Sequence, residues 1–271
     1  MQVYLSCPEC VDEQARHEKS SESPDPINTQ KRLSPYPIQL TNEVSYEVKC
    51  VFGHSSAVFI NLFKHEILFE IGVHSILDGY YREAITSFAA SLERFYEFAS
   101  RSIALHHRLP NDEEVKCWKD IASQSERQLG AYIYLHAIHF KKQPKLLSNP
   151  QAALRNSSVH KGQIPTRDEA VAFGEEVLSI ISETSLKIWQ TIPEAAHKVV
   201  SNHAEMSVKK IIEAGGVQSN TTNCVDSAVH GKIHDERPLK EHLERTILRH
   251  SRNKVDKHKK IIGEFEAKRH T

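Results

Sequence analysis

Between residues 80 and 107 the apolar side chains Ala84, Ile85, Phe88, Ala89, Leu92, Phe95, Tyr96 and Ala99 return at steps of three and four. A strand would scatter this set over both of its faces, whereas a helix gathers it into one stripe. The spacing predicts a long amphipathic helix, and the same rhythm continues on both sides of it. Upstream, from about residue 58, Phe59, Leu62 and Phe63 open a stripe that Ile67, Phe69, Ile71 and Ile76 extend. Downstream, "NDEE" starts a run over about 112–140, and Leu154 falls on a short helix after "SNPQ". In "PTRDEA", Thr166 caps the next helix and Glu169, three residues on, completes a capping box. Its apolar positions include Val171, Phe173, Val177, Leu178, Ile180 and Ile181. Residues 195–214 read as a further helix, "GGVQSNTTN" as a loop, and 238–268 as a very charged helix, a solvated arm or a partner-binding element. The chain is therefore expected to be mainly α.

The N-terminal part has a different character. Residues 12–37 are polar and rich in Ser, Glu and Pro, which predicts a long loop or insertion. Two short apolar pieces flank it, "VYLSCPEC" and "VSYEVKCVFGH"; in the second, Val44, Tyr46 and Val48 alternate with Ser45, Glu47 and Lys49, as in a strand. Cys7-Pro-Glu-Cys10 is a C-x-x-C, and Cys50 with His54 is a C-x3-H with Gly53 just before the histidine. Thiolates and imidazole suit a tetrahedral zinc ion, and each short turn holds half a site. A segment this small has little core of its own, so a structural zinc supplies the missing folding energy. The halves stand 39 residues apart, more than the usual spacing of about 12–20, and the polar insert accounts for the gap if it loops out. A chance C-x-x-C is the competing reading; a redox pair lacks its βαβ context. With "CPEC" and "CVFGH" as knuckles, the piece resembles a zinc ribbon. Cys117 and Cys224 read as ordinary thiols.

Composition narrows the class. Lys and Arg number 35, and so do Asp and Glu, so overall charge implies no nucleic-acid partner and any basic site is local. The 17 histidines raise the net charge below about pH 6.5. No run of eighteen or more apolar residues exists to span a membrane. "MQVYLSCPEC" is not a secretory signal, and an odd five cysteines argue against a disulfide scaffold. These features predict a cytoplasmic protein with reduced thiols.

The stretch "LRNSSVHKGQI", Leu154 to Ile164, places Arg155 and Asn156 side by side, with His160 four residues on. Asn156 and His160 share a helix face, while Arg155 lies about 140° from His160 around the axis. The two converge if the helix breaks before His160, as Gly162 and Pro165 suggest, or if two copies meet across a symmetry axis. An arginine offers a planar fork for phosphate, and a neutral histidine moves protons near pH 7. The plainer alternative pairs Arg155 with an acid and leaves His160 at a helix end.

"LRNSSVHKGQIPTRDEAVAFGEEVLSII" resembles the final motif of HEPN domains (higher eukaryotes and prokaryotes nucleotide-binding), and "LDGYYREAITSFAASLERFYEFASRSI" is similar to the early helix of that family. The resemblance covers roughly residues 60–190. It implies an up-and-down helical bundle, usually dimeric, and in many members a metal-independent ribonuclease of defence or toxin systems; other members bind nucleotides or act as assembly modules. Carried onto this sequence, it implies Arg155, Asn156 and His160 as catalytic residues. Glu93, four residues before Glu97, would orient Arg155 or His160, and Lys161 and Glu97 would sit along the RNA path; the plainer reading leaves the two acids solvated on a helix edge and Lys161 solvated as well. The expected organisation is a zinc-ribbon-like module over 1–57, a HEPN-like helical domain over 58–194 and a charged helical extension over 195–271. The expected partners are RNA, a second copy of the chain, and a protein recruited through the zinc ribbon or the tail.

Overall fold

The computed structural model describes residues 2–19, 36–41, 43, 45–60, 63–213, 220–221, 238–244 and 246. Among them the chain is mainly helical, with small sheets in its N-terminal part. Its contacts divide it into two compact units, residues 1–63 with 196–225 and residues 64–195 with 226–271.

In the first unit, β1 (Gln2–Leu5) and β2 (Tyr36–Gln39) pair antiparallel, Gln2 opposite Gln39 and Leu5 opposite Tyr36. Between them α1 (Pro8–Lys19) carries the chain on as helix through residues expected to form a loop. The correction has a physical source. "VDEQARHEK" is polar, yet most of its residues are good helix formers, and Pro8 with Glu9 suits a first turn. Polarity marks exposure, not the absence of a helix. The rest of the expected insert up to residue 35 lies outside the described residues. β3 (Ser45–Lys49) and β4 (Ser55–Ile60) form an antiparallel hairpin with Lys49 opposite Ser55, and β5 (Asn220–Thr221) runs parallel to β4. The expected alternation holds in β3, where Tyr46 and Val48 are buried and Glu47 and Lys49 exposed. Phe59, expected to open a helical stripe, instead belongs to β4 opposite Ser45; a short apolar run does not distinguish strand from helix by itself.

The second unit is built around one helix. α2 (Lys64–Leu77) leads into α3 (Tyr81–His106), followed by α4 (Asn111–Ile121), α5 (Ser125–Phe140), α6 (Asn149–His160) and α7 (Arg167–Thr191). α8 (Pro193–Glu213) carries the chain from this unit into the first. α3 packs against α2, α4, α5, α6 and α7, and its whole predicted stripe from Ala84 to Ala99 is buried. The run expected as one helix over 112–140 is two. α4 stops at Ile121, Gln124 is extended, and Ser123 Oγ donates to the Asp120 carbonyl (3.2 Å); a serine that bonds its own backbone competes with helix. α5 then runs parallel to α3, tied by Arg94 Nη2 to Gln128 Oε1 (2.7 Å) and by the stacked rings of Tyr96 and Tyr132. Tyr132 also shares a 3.1 Å hydrogen bond with Thr184 on α7. The capping box at the start of α7 is present, Glu169 N–H donating to Thr166 Oγ1.

Of the charged tail, residues 239–244 are helical, Leu239 and Leu243 are buried, and Leu239 lies against Gly174 of α7. The Leu239 N–H donates to Glu175 Oε2 at 2.7 Å. This stretch is packed where a solvated arm was one expectation; residues 247–268 of the expected charged helix lie outside the described residues.

Phe88 fills the middle of the unit between two glycines. A Cβ on Gly72 of α2 would stand 2.5 Å from Phe88 Cε1, and one on Gly174 of α7 would stand 2.7 Å from both Phe88 Cε2 and Leu239 Cδ2. Mid-helix glycine costs about 1 kcal/mol against alanine, so its presence at both contacts reflects close approach. Gly72→Ala and Gly174→Ala are therefore expected to destabilise the protein by about 1–3 kcal/mol through overpacking, despite their better helix propensity. Urea unfolding of the two variants checks this, and a gain in stability would contradict the packing.

Candidate functional site

The donor atoms of Cys7, Cys10, Cys50 and His54 lie within 4.8 Å of one another, with the cysteines buried and His54 partly so. Local structure explains how residues so distant in sequence meet. Cys7 precedes α1, and its carbonyl accepts from the Val11 N–H (3.1 Å); Cys10 follows in the first helical turn. The N-terminal end of a helix favours negative charge, so it is a suitable place for thiolates. Cys50 leaves β3 and His54 enters β4. The turn between them is closed by Cys50 N–H to the His54 carbonyl (3.0 Å) and Gly53 N–H to the Cys50 carbonyl (3.1 Å). Gly53 has φ +89°, which a side chain would strain. Of the two expected knuckles, the second is a hairpin turn, while the first is the start of a helix.

The four donors form one cluster. Cys10 Sγ is 3.7 Å from Cys50 Sγ and 3.4 Å from His54 Nδ1, and Cys7 Sγ is 3.7 Å from the same nitrogen. Burial, reinforced by the neighbouring Cys50 and Cys7 thiols, pushes the Cys10 thiol up to about 12. Burial also opposes charge on Cys50, but backbone hydrogen bonds at His54 and Phe52 outweigh it and hold that thiol below its ordinary value. Several thiolates this close repel one another unless a cation joins them. The cluster thus has the donor set, the spacing and the electrostatic demand of a metal site.

One residue of this site was not visible in the sequence. His54 Nε2 faces Glu13 Oε1 at 3.5 Å, within ion-pair reach but long for a hydrogen bond. With Nδ1 turned to the thiols, a carboxylate beside Nε2 fixes the imidazole tautomer and orientation. Glu13 lies in the stretch expected to be a loop. As part of α1 it stands three residues beyond Cys10, close to the same face. Ser56, fully buried, lies 3.8 Å from Cys7 Sγ and donates to Glu9 Oε1 (2.9 Å), so α1 supplies a second carboxylate around the cluster.

In the helical unit, Arg155 reaches from α6 to α3. Its Nη2 donates to Glu93 Oε1 at 2.7 Å and its Nη1 to Asn156 Oδ1 at 3.0 Å. Arg82 Nε on α3 donates to the Ser158 carbonyl (2.9 Å), and at the other end of α6 the Glu176 carboxylate of α7 accepts from the Ser148 N–H and hydroxyl. α6 stays regular through His160. Its stop follows, where Lys161 and Gln163 N–H both donate to the Ser157 carbonyl and Gly162 takes φ +71°. The expected break thus falls after His160 and not before it. Within one chain Arg155 and His160 remain about 140° apart around α6, and no hydrogen bond joins them among the described residues. Asn156, His160 and Lys161 are exposed.

Glu97 is occupied elsewhere. It meets Arg94 at 2.9 Å and Arg101 at 3.6 Å, and Arg101 forks onto the buried Glu114 at 2.7 and 3.0 Å. This row of charges ties α3 to α4, and its arginines are held by acids of the same unit.

Set against protein-family models, curated proteins and solved structures, the chain matches none. No helix among the described residues is long and apolar enough to cross a membrane.

The arrangement around His54 makes a specific prediction. Glu13→Gln keeps all four donors but is expected to weaken metal retention by about 10–100-fold. Competition against a chromophoric chelator measures this, and unchanged retention would show that the carboxylate plays no part.

Proposed function

We propose that this chain is a metal-independent endoribonuclease of the HEPN type whose N-terminal unit is held together by a structural zinc ion. Three sulfurs and one imidazole nitrogen suit zinc. A tetrahedron with zinc–sulfur bonds of about 2.3 Å has sulfur–sulfur edges of about 3.8 Å, and the Cys10–Cys50 separation is 3.7 Å. Four protein donors leave no open position for water, so the ion stabilises the fold and takes no part in the reaction. Purified, reduced protein is expected to hold about one zinc per chain, read by elemental analysis; a value near zero would remove this part of the reading.

The observation that carries the ribonuclease reading is the pairing of Arg155 with Glu93 on the buried α3, beside a solvent-facing Asn156 and His160 on α6. A guanidinium has five N–H donors. Glu93 and Asn156 engage two of its nitrogens, and the remaining donors are left for a phosphate. His160 takes the proton of the substrate's 2′-hydroxyl, or gives one to the departing 5′-oxygen. The 2′-oxygen–phosphorus bond forms as the phosphorus–5′-oxygen bond breaks, and Arg155 neutralises the charge that builds on the phosphorane. The products carry a 2′,3′-cyclic phosphate and a 5′-hydroxyl. Glu93 is a positioning residue, Asn156 orients the phosphate or the histidine, and the exposed Lys161 meets the RNA backbone. We assign Glu97 to holding Arg94 and Arg101 in place of a direct role at RNA. Because α6 is regular, Arg155 and His160 act together when a second copy brings its own α6 to a two-fold axis. The resemblance adds the setting, a cytoplasmic toxin or antiviral defence system.

A second reading has an observation of its own. The charge of Arg155 is already compensated by Glu93 at 2.7 Å, as in a module that binds a nucleotide or RNA without cutting it, or in an assembly subunit that recruits a partner. Cleavage assays separate the two. His160→Ala and Arg155→Ala are each expected to lower RNA cleavage about a hundredfold or more with helical circular dichroism unchanged. Cleavage should persist in EDTA on folded protein and spare DNA, which lacks the 2′-hydroxyl. Wild-type rates in His160→Ala, or equal cutting of DNA, would leave the binding reading in its place. Light scattering at micromolar concentration should report a dimer.

A further inference from the structure

α3 and α5 run parallel, so their C-terminal ends lie side by side, and three histidines gather there. His106 closes α3, His107 is its capping residue, and His139 lies in the last turn of α5. The ring centres are 4.8 Å apart for His106–His139, 5.3 Å for His106–His107 and 5.4 Å for His107–His139, each pair edge to face. Three imidazoles around one tetrahedral ion, with metal–nitrogen bonds of about 2.0–2.1 Å, have ring centres roughly 5 Å from one another. We propose that His106, His107 and His139 form a second metal site, for a late first-row divalent ion held by three neutral imidazoles with one position open to solvent.

Three further observations support this. The ends of two helices present their negative dipole ends to the same place, which favours a cation there. Among the described residues no hydrogen bond or ion pair engages the ring nitrogens of these three histidines, so their lone pairs are available. His136, one turn before the end of α5, is the contrasting case: its Nδ1 is already bonded to the Lys142 carbonyl at 2.9 Å. Exposure also fits, since His106 and His107 face solvent and His139 is half-buried. The nitrogens do not converge as those of the cysteine cluster do. Closing the site takes rotation about each Cβ–Cγ bond, whose axis passes near the ring centre and so leaves the centres in place. The same helix ends carry Arg108 and Lys141 in left-handed turns, φ 63° and 56°. These cations oppose a second positive charge and set the site's affinity well below that of a thiolate cluster.

The test uses the full chain with its cysteine cluster already loaded with zinc, titrated with Co²⁺ at neutral pH. The expected result is one further saturable equivalent whose visible d–d bands appear without thiolate-to-metal charge transfer. His106→Gln, His107→Gln and His139→Gln should each weaken that binding about tenfold or more with unchanged circular dichroism. His160→Gln, a solvent-facing histidine outside the cluster, should bind as wild type. Binding in the three variants equal to wild type, an equal loss in His160→Gln, or bands of thiolate character alone would overturn the proposal. If His139→Gln melts, the exposed His106 and His107 variants still decide it. None of these readouts depends on ribonuclease activity.

Discussion

The Phe88 ring in the gap between Gly72 and Gly174 fixes the distances on which the helical unit depends. Removing Cβ atoms from α2 and α7 lets both helices close on one aromatic ring of α3, with Leu239 from the C-terminal stretch sealing the same spot. A fully buried phenylalanine contributes about 1.5–3 kcal/mol, but its larger effect is geometric. Once α3 is clamped from two sides, its other faces become fixed platforms. Glu93 is offered to α6, the row of Arg94, Glu97 and Arg101 faces α4 and α5, and His106 stands at the end. Functional groups placed on a buried rigid helix are held more closely than groups on loops.

The N-terminal unit meets a different constraint. Few of its described side chains are fully buried, and three of the buried ones are cysteines. An apolar core that small does not offset the conformational entropy of its chain. The thiols stand where a larger domain would have leucines, and α1, the 50–54 turn and the β3–β4 hairpin all meet at them. These parts of the unit therefore share one Cys/His cluster in place of a larger apolar core.

Much of the helical unit was legible from residue spacing because spacing reports burial. Every member of the Ala84–Ala99 stripe is buried, and the Thr166–Glu169 capping box could be read because it is a local device with a fixed interval. What escaped was set by chain geometry or by non-apolar residues. α1 has no apolar stripe, so its helicity rested on propensity alone, and with it went the sight of Glu13 beside His54. Phe59 lies in a run too short to carry a period. The break at 122–124 goes with Ser123 bonding the Asp120 carbonyl and with an extended Gln124, a weak signal against a strong helical run. The four clustered donors were readable from their chemistry and short intervals, although nothing in the 39-residue gap shows how the halves meet. The histidines of α3 and α5 are more than 30 positions apart; only the return of α4 makes them neighbours.

The pairing of Arg101 with Glu114 bears on how such a chain is free to vary. Glu114 is buried, and the guanidinium meets both of its carboxylate oxygens. Losing Arg101 strands the Glu114 charge inside the unit, at a cost of about 3–5 kcal/mol, whereas exchanging both for apolar residues of like volume is close to neutral. A stepwise path that changes Arg101 first crosses an intermediate that has lost a large share of the stability of a small domain, about 5–15 kcal/mol in all. Positions 101 and 114 are therefore expected to change together or not at all in descendants of this sequence, and that correlated drift would be a lasting trace of the contact between α3 and α4.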